Sequence, residues 1–202
     1  GSGKSTIAQL IPRLYDVTEG AVALDGIDVR DMPLSELRRR IGYVPQQGML
    51  FSGTIETNLK FAGDTVGDDD MRAAASIAQA AEFIEGREGG YESEISQGGT
   101  NVSGGQRQRL AIARALAKRP EVMVFDDSFS ALDYKTDAKL REALATSASD
   151  SAVVVVAQRI ATIMRATQII VLDDGRVVGQ GTHEELLRSC PTYLEIAPSQ
   201  LS

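Results

Sequence analysis

Tryptophan is missing from this 202-residue chain, and cysteine and histidine occur once each, as Cys190 and His183. A lone cysteine closes no internal disulfide, and the two residues are too few for a zinc-like cluster, so a reducing cytosolic setting is expected. A basic surplus is missing as well: 28 acidic side chains against 21 basic ones leave a net charge of −7. Apart from Arg38, Arg39 and Arg40 the basic residues are scattered, which argues against nucleic acid as a partner. No long apolar run occurs. The longest strongly apolar stretch, Ala152 to Ala157, falls far short of the roughly 20 residues that a membrane-spanning helix needs. No initiator methionine and no secretory leader precede the opening "GSGKST", so the chain reads as a piece cut from a longer protein.

What is present is ordinary globular material, 43% apolar and 24% charged, enough for one generous domain with a buried core. Short apolar runs recur at "AVAL" (21–24), "IGYV" (41–44), "VMVF" (122–125), "VVVV" (153–156) and "IIVL" (169–172), as expected of strands buried on both faces. Between them, residues 71–85, 105–119 and 136–146 are rich in strong helix formers. The alternation predicts an α/β fold with a mostly parallel sheet. From about Gly53 to Asn101 the strand signal disappears, leaving helix and loop with the acidic "GDTVGDDD" (63–70); this stretch reads as a helical subdomain inserted into the core, which resumes over 102–202. Near the end, "LDDGRVVGQG" (172–181) predicts a hairpin, and Thr182 with Glu185 has capping-box spacing.

"GSGKST" supplies the second half of the phosphate-loop pattern G-x-x-x-x-G-K-[ST], with Gly3, Lys4 and Ser5 at the diagnostic places and Gly1, Ser2 and Thr6 completing the loop. Glycine lets successive N–H groups turn toward phosphate oxygens, and a helix following the loop adds its positive end. Lys4 would reach the β- and γ-phosphates and the Ser5 hydroxyl would ligate Mg²⁺. A second carboxyl-bearing element supports this. "VMVFDD" runs an apolar strand into Asp126 and Asp127, placing Asp126 at the C-terminal edge of a buried strand, where it can hold a hydrated Mg²⁺ beside the loop.

"VSGGQRQRLAIARAL" (102–116) is the most specific string. A Ser-Gly-Gly-Gln turn leading into a helix makes a second anion-binding N-terminus, with Ser103 and the amides of Gly104 and Gly105 open to phosphate. One nucleotide has little use for two such cradles from one chain. Two domains, head to tail, each closing over the other's ATP, account for both.

In these residues the chain resembles the nucleotide-binding domain of ATP-binding cassette (ABC) transporters of the exporter type. "GSGKST" looks like the end of Walker A, "VMVFDD" like Walker B, "VSGGQ" like the signature, "SALD" (130–133) like the D-loop and "VPQ" (44–46) like the Q-loop. "LFSGTIETNL" (50–59) is similar to the exporter sequence after that loop. The resemblance implies a P-loop NTPase core, ATP and Mg²⁺ as ligands, and ATP hydrolysis at the cytoplasmic face of a membrane. It further implies membrane domains fused N-terminally, a Gln46 that touches Mg²⁺ and the attacking water, and Ser103 to Gln106 applied to a partner's nucleotide. The N-terminal portion before Gly1 would then hold a core strand and the aromatic residue that stacks on adenine.

Two departures stand at one reaction centre. Where the family usually has glutamate as general base, this chain has Asp127, one methylene shorter and drawn back by about 1.5 Å; a displacement near 1 Å costs roughly 100-fold in rate. Where the family has its switch histidine, this chain has Gln158, which donates a neutral hydrogen bond but carries no imidazolium charge. Its own site is therefore expected to hold ATP and turn it over slowly, while its signature, altered only at Val102, serves a partner that supplies glutamate and histidine, as in the degenerate half of a heterodimeric exporter. The alternatives are a regulatory module that binds ATP without hydrolysing it and a soluble, non-transport ABC ATPase. A chromosome or repair ATPase is disfavoured because no sustained heptads separate Gln46 from Ser103, and a GTPase because no Asn-Lys-x-Asp segment occurs. Gln97-Gly98 stands where many exporters have a Glu-Arg pair, in a loop (91–101) that either touches coupling helices or is a flexible acidic loop. Tyr134 is expected against the sheet and His183 on the surface at a helix start.

Overall fold

The computed structural model describes residues 2–63, 65–148 and 150–197. From the N-terminus, helix α1 (Lys4–Leu10) is followed by a two-residue hairpin, β1 (Ala23–Leu24) and β2 (Ile27–Asp28), then α2 (Leu34–Arg40) and β3 (Ile41–Val44). Next come β4 (Gly53–Thr54), α3 (Ile55–Leu59), α4 (Asp68–Ile77), α5 (Ala81–Glu85) and β5 (Glu94–Ile95). The chain then forms α6 (Gly104–Ala117), β6 (Val122–Asp126), α7 (Tyr134–Ser147), β7 (Ala152–Val156) and α8 (Ile160–Ile163). It closes with β8 (Ile169–Asp173), β9 (Arg176–Gly181), α9 (His183–Ser189) and α10 (Pro191–Ile196).

The central sheet is parallel in the order β3-β6-β7, with Val44 opposite Phe125 and Asp126 opposite Val156. All five residues of β6 are buried, and because side chains alternate, β6 serves two cores at once. Met123 and Phe125 point into the larger one, shared with Val44, α3, α4, α6 and Leu140 of α7. Val122 and Val124 point into the other, shared with Ala8 of α1, Leu37 and Ile41. A third cluster joins Ile169, Val171, Leu186 and Tyr193.

Three of the five expected buried strands differ from expectation. "AVAL" contributes only β1, antiparallel to β2 across Asp25-Gly26, whose positive φ values of 51° and 79° fit a tight hairpin turn. β7 is half-exposed, with Val153 43% accessible, because among the described residues it has one strand neighbour. β8 pairs antiparallel with β9 and alternates, Ile169 and Val171 buried but Ile170 out. It is a one-sided strand, and the apolar run there does not mark two-sided burial.

The helix expected over 71–85 is two helices. Gln79 takes φ 58° between α4 and α5, and Arg109 of α6 donates from Nη1 to its carbonyl at 2.6 Å, fixing a bend that helix propensity does not reveal. Asp68, Asp69 and Asp70 form the first turn of α4, where carboxylates complement the helix dipole; Asp64 of the acidic stretch lies outside the described residues. The 53–101 stretch, expected to lack strands, holds the antiparallel pair β4-β5, with Gly53 opposite Ile95; two-residue strands are too short for a periodicity signal. The β8-β9 hairpin and the Thr182–Glu185 capping box form as expected.

Candidate functional site

The site assembles at the C-terminal ends of β3, β6 and β7, the edge where open α/β sheets bind ligands. Gly3 caps α1 with φ 90°, and a Cβ there would meet nothing within 4 Å, so the backbone is open to a bulky anion. Lys4 Nζ donates to Ser2 Oγ at 2.8 Å, while Thr6 lies exposed in the first turn of α1. Gly1 lies outside the described residues. Ser5 Oγ donates to Asp126 Oδ1 at 2.8 Å across 121 residues of sequence.

Tyr43 stands opposite Val124, two residues before Asp126, and so shares its face of the sheet. Its hydroxyl donates to Asp126 Oδ2 at 3.0 Å. Burial, with the Asp126 charge beside it, pushes the Tyr43 phenol up to about 12, so Tyr43 stays a donor. Asp126 is buried at 4% exposure, its two oxygens satisfied by two hydroxyls. The pair of Ser5 and Asp126 suits Mg²⁺, which takes hard oxygen ligands, keeps several waters and relies on one or two carboxylates plus phosphates. Among the described residues no group of three or more His, Cys, Asp or Glu that could hold a metal ion occurs. Gln46 Nε2 donates to Asp127 Oδ2 at 3.1 Å.

Asp127 leaves the strand with φ 51°, its N–H bonded to the Val156 carbonyl at 2.9 Å. Gln158 Nε2 donates to the same oxygen, Oδ2, at 3.0 Å. The structure thus brings Asp127, Gln46 and Gln158 together, two neutral amides on one carboxylate oxygen. Burial raises the Asp127 carboxyl above its ordinary value; the Gln158 hydrogen bond opposes that rise and the Asp126 charge adds to it. A cleft of about 290 Å³ opens beside this group, lined by Asp127, Phe129, Ser130, Gln158, Arg159 and Thr162 among others.

Ser103 caps α6 in a reciprocal box: its Oγ accepts from Gln106 N at 3.2 Å and its N–H donates to Gln106 Oε1 at 3.0 Å. Gln106 is therefore turned back onto the cap. Gly104 is clear of neighbours, and the atom nearest a Gly105 Cβ is the Ala131 carbonyl at 3.7 Å. The side-chain hydrogen bonds of this turn stay within α6, so the turn is not joined to Lys4, Ser5 or Asp126. Asp133 caps α7, accepting from Thr136 N at 2.9 Å, and Tyr134 is 75% exposed, not packed on the sheet. The 91–101 loop is ordered by Asn101, which accepts from Ser96 N at 3.0 Å and donates to Glu94 O at 2.8 Å. His183 opens α9, half-buried, with Nδ1 2.8 Å from the Tyr193 hydroxyl.

Sequence reasoning passed over three polar residues that shape the site. Tyr43 sits in an apolar strand, Ser128 follows the two aspartates, and Gln108 lies in a helix-forming run. Ser128 is fully buried and donates to the Val44 carbonyl at 2.7 Å. Buried Gln108 grips the loop around Gln46. Tyr43 was reachable by counting face partners, given the sheet order; Gln108 and Ser128 needed the packed loop.

The model of the family described as "ABC transporter" matches residues 1–130. The chain belongs to the ABC transporter family. It is 52% identical to an uncharacterised ABC transporter ATP-binding protein of Mycobacterium tuberculosis, over 99% of this chain and 34% of that protein. It is 46% identical to another from Bacillus subtilis (99% and 35%), and 44% identical to an ATP-dependent lipid A-core flippase of Vibrio vulnificus (97% and 34%). A solved structure described as a bacterial Atm1-family ABC exporter with ATP bound superposes with TM-score 0.95 at 39% identity, over 100% of this chain and 35% of that one. The fold is accordingly the α/β P-loop core of an ABC ATP-binding domain, and the chain spans about a third of the length of the relatives it matches. No helix among the described residues is long and apolar enough to cross a membrane.

Proposed function

We propose that this domain binds MgATP and pairs head to tail with a second, different cassette to drive transport by membrane domains on the same full-length chain, at the cytoplasmic face of a membrane. The observation that supports it most is the Ser5–Asp126 hydrogen bond at 2.8 Å, which joins the phosphate loop to the strand-end carboxylate without help from a ligand. Lys4 and the amides after Gly3 receive the phosphates. Ser5 and Asp126 hold Mg²⁺, which on binding neutralises the phosphate charge. Asp127 is the base that orients water, Gln46 and Gln158 hold Asp127, and Ser103, Gly104 and Gly105, with Gln106 bracing their turn, serve the partner's nucleotide.

The short Asp127 makes its own site slow. An exposed apolar group next to the Gln46 loop, Met49 with Phe51 stacked on Phe61 at 4.5 Å, suits contact with the membrane domains. Because relatives are named lipid A-core flippases, an amphipathic lipid is the first substrate class to assay. A second reading, a regulatory site that holds ATP without hydrolysis, is favoured by the two amides that occupy Asp127 Oδ2.

Binding of a fluorescent ATP analogue to the full-length transporter, with and without Mg²⁺, tests the main reading. Lys4→Ala and Asp126→Asn are each expected to weaken Mg²⁺-dependent binding by about tenfold or more, the scale of losing a charge-assisted contact. Unchanged binding in both variants would refute the site.

A further inference from the structure

Helix α6 starts at the signature turn and, one turn in, places Gln108 at 2% exposure against the loop that carries Gln46. The Gln108 amide spans that loop. Its Oε1 accepts from Gly48 N–H at 2.7 Å and its Nε2 donates to the Pro45 carbonyl at 3.2 Å, so the two bonds bracket Gln46 on either side. The loop lies flat on the helix here. A Cβ on Gly48 would stand 2.9 Å from Gln108 Oε1, 3.0 Å from Ala111 Cβ and 3.1 Å from the Arg107 carbonyl. Arg107 extends the tie to a second loop, donating to Gly98 O at 3.2 Å, and Gly98 N–H bonds Leu50 O at 3.2 Å.

We propose that Gln108 is a positioning residue that makes Gln46 move with the signature end of α6, so that a partner's nucleotide drawn onto Ser103 sets where Gln46 meets Asp127. The inference rests on the reading of Gln46 and Asp127 as reaction-centre residues. A buried amide with both ends on backbone groups transmits displacement in a way that an apolar side chain of the same size does not, because slipping would leave a buried N–H and carbonyl unpaired.

The test uses the full-length transporter. Amide exchange, followed by mass spectrometry over the peptide containing Pro45 to Leu50, is expected to accelerate about tenfold or more in Gln108→Leu while the α1 peptide is unchanged. Gln108→Glu, which keeps the acceptor for Gly48 but not the donor to Pro45, is expected to fall between. In single-turnover hydrolysis with the partner site inactivated, Gln108→Leu combined with Gln46→Ala is expected to be no slower than the slower single variant, because both act on one side chain. Gly48→Ala, which forces the loop off α6 and leaves Gln108 intact, is expected to lower kcat with KM for ATP unchanged.

Unchanged exchange over Pro45 to Leu50, or losses from Gln108→Leu and Gln46→Ala that multiply, would overturn the proposal. Absence of turnover in the unaltered transporter would instead refute hydrolysis, and the exchange result would still decide whether Gln108 holds the loop.

Discussion

Replacing Asp127 with glutamate tests whether side-chain length limits hydrolysis at the proposed site. The backbone at Asp127 is pinned by its φ of 51° and by the 2.9 Å bond to Val156 O, so the added methylene advances the carboxylate by about 1.5 Å and does not shift the chain. Restoring that reach is worth up to about 100-fold in rate, equivalent to about 2.7 kcal/mol of barrier. Gln46 and Gln158, at 3.1 and 3.0 Å from Oδ2, hold the short carboxylate back. Both amides belong to exposed side chains, and together they contribute about 1 kcal/mol, too little to cancel the gain. The assay is single-turnover hydrolysis in the full-length transporter, with the partner site inactivated so that only this site reports. Asp127→Glu is expected to run about 10 to 100 times faster than the native chain. A rate within twofold of native, or slower, would refute the argument that side-chain length limits this site.

Tyr43→Phe removes the hydroxyl on Asp126 Oδ2 and is expected to lower unfolding free energy by about 1–2 kcal/mol in urea titration, since a half-buried bond to a charged group is lost; an unchanged midpoint would contradict the bond's role. Gly42→Ala is expected to cost about 1–3 kcal/mol by the same measurement, because its Cβ would sit 2.5 Å from Met123 Sδ, 2.9 Å from Pro120 Cγ and 3.1 Å from the Ala115 carbonyl. Asp127 titrates above its ordinary 3.8 because burial disfavours its charge. The folded state therefore binds the proton more tightly than the unfolded chain, and the stability this gives is present below 3.8 and lost as pH rises through the folded value. Thermal melts of native against Asp127→Asn should show the native chain losing ground as pH climbs past about 4, with parallel curves excluding the shift.

The elements that sequence made legible are those with a strong local cause. β6 was readable because all five of its residues are buried, and α6 and α7 because both are long runs of strong helix formers. The pairing of Ser5 with Asp126 at 2.8 Å was legible because the phosphate-loop pattern and the strand-end aspartate each call for one residue type. Tertiary contacts hid the rest. Arg109 bends the 71–85 helix at Gln79 from another helix. The exposure of Ile170 depends on pairing with β9, which an apolar run does not specify. The hydrogen bond from Gln46 to Asp127 joins residues 81 apart in sequence, which only the packed loop brings together. The inward turn of Gln106 follows from capping geometry, a local rule.

Steady-state ATP turnover by the full-length transporter, alone and mixed with a second cassette that carries glutamate and histidine at the positions of Asp127 and Gln158, tests the central claim most directly. Low turnover alone, a strong rise with the partner and little further response to Asp127→Glu in the mixture are expected, because the partner's site then dominates and borrows Ser103 to Gly105 from this chain. Brisk, cooperative hydrolysis by the chain alone would contradict that division of labour and make Asp127 and Gln158 a competent reaction centre in their own right.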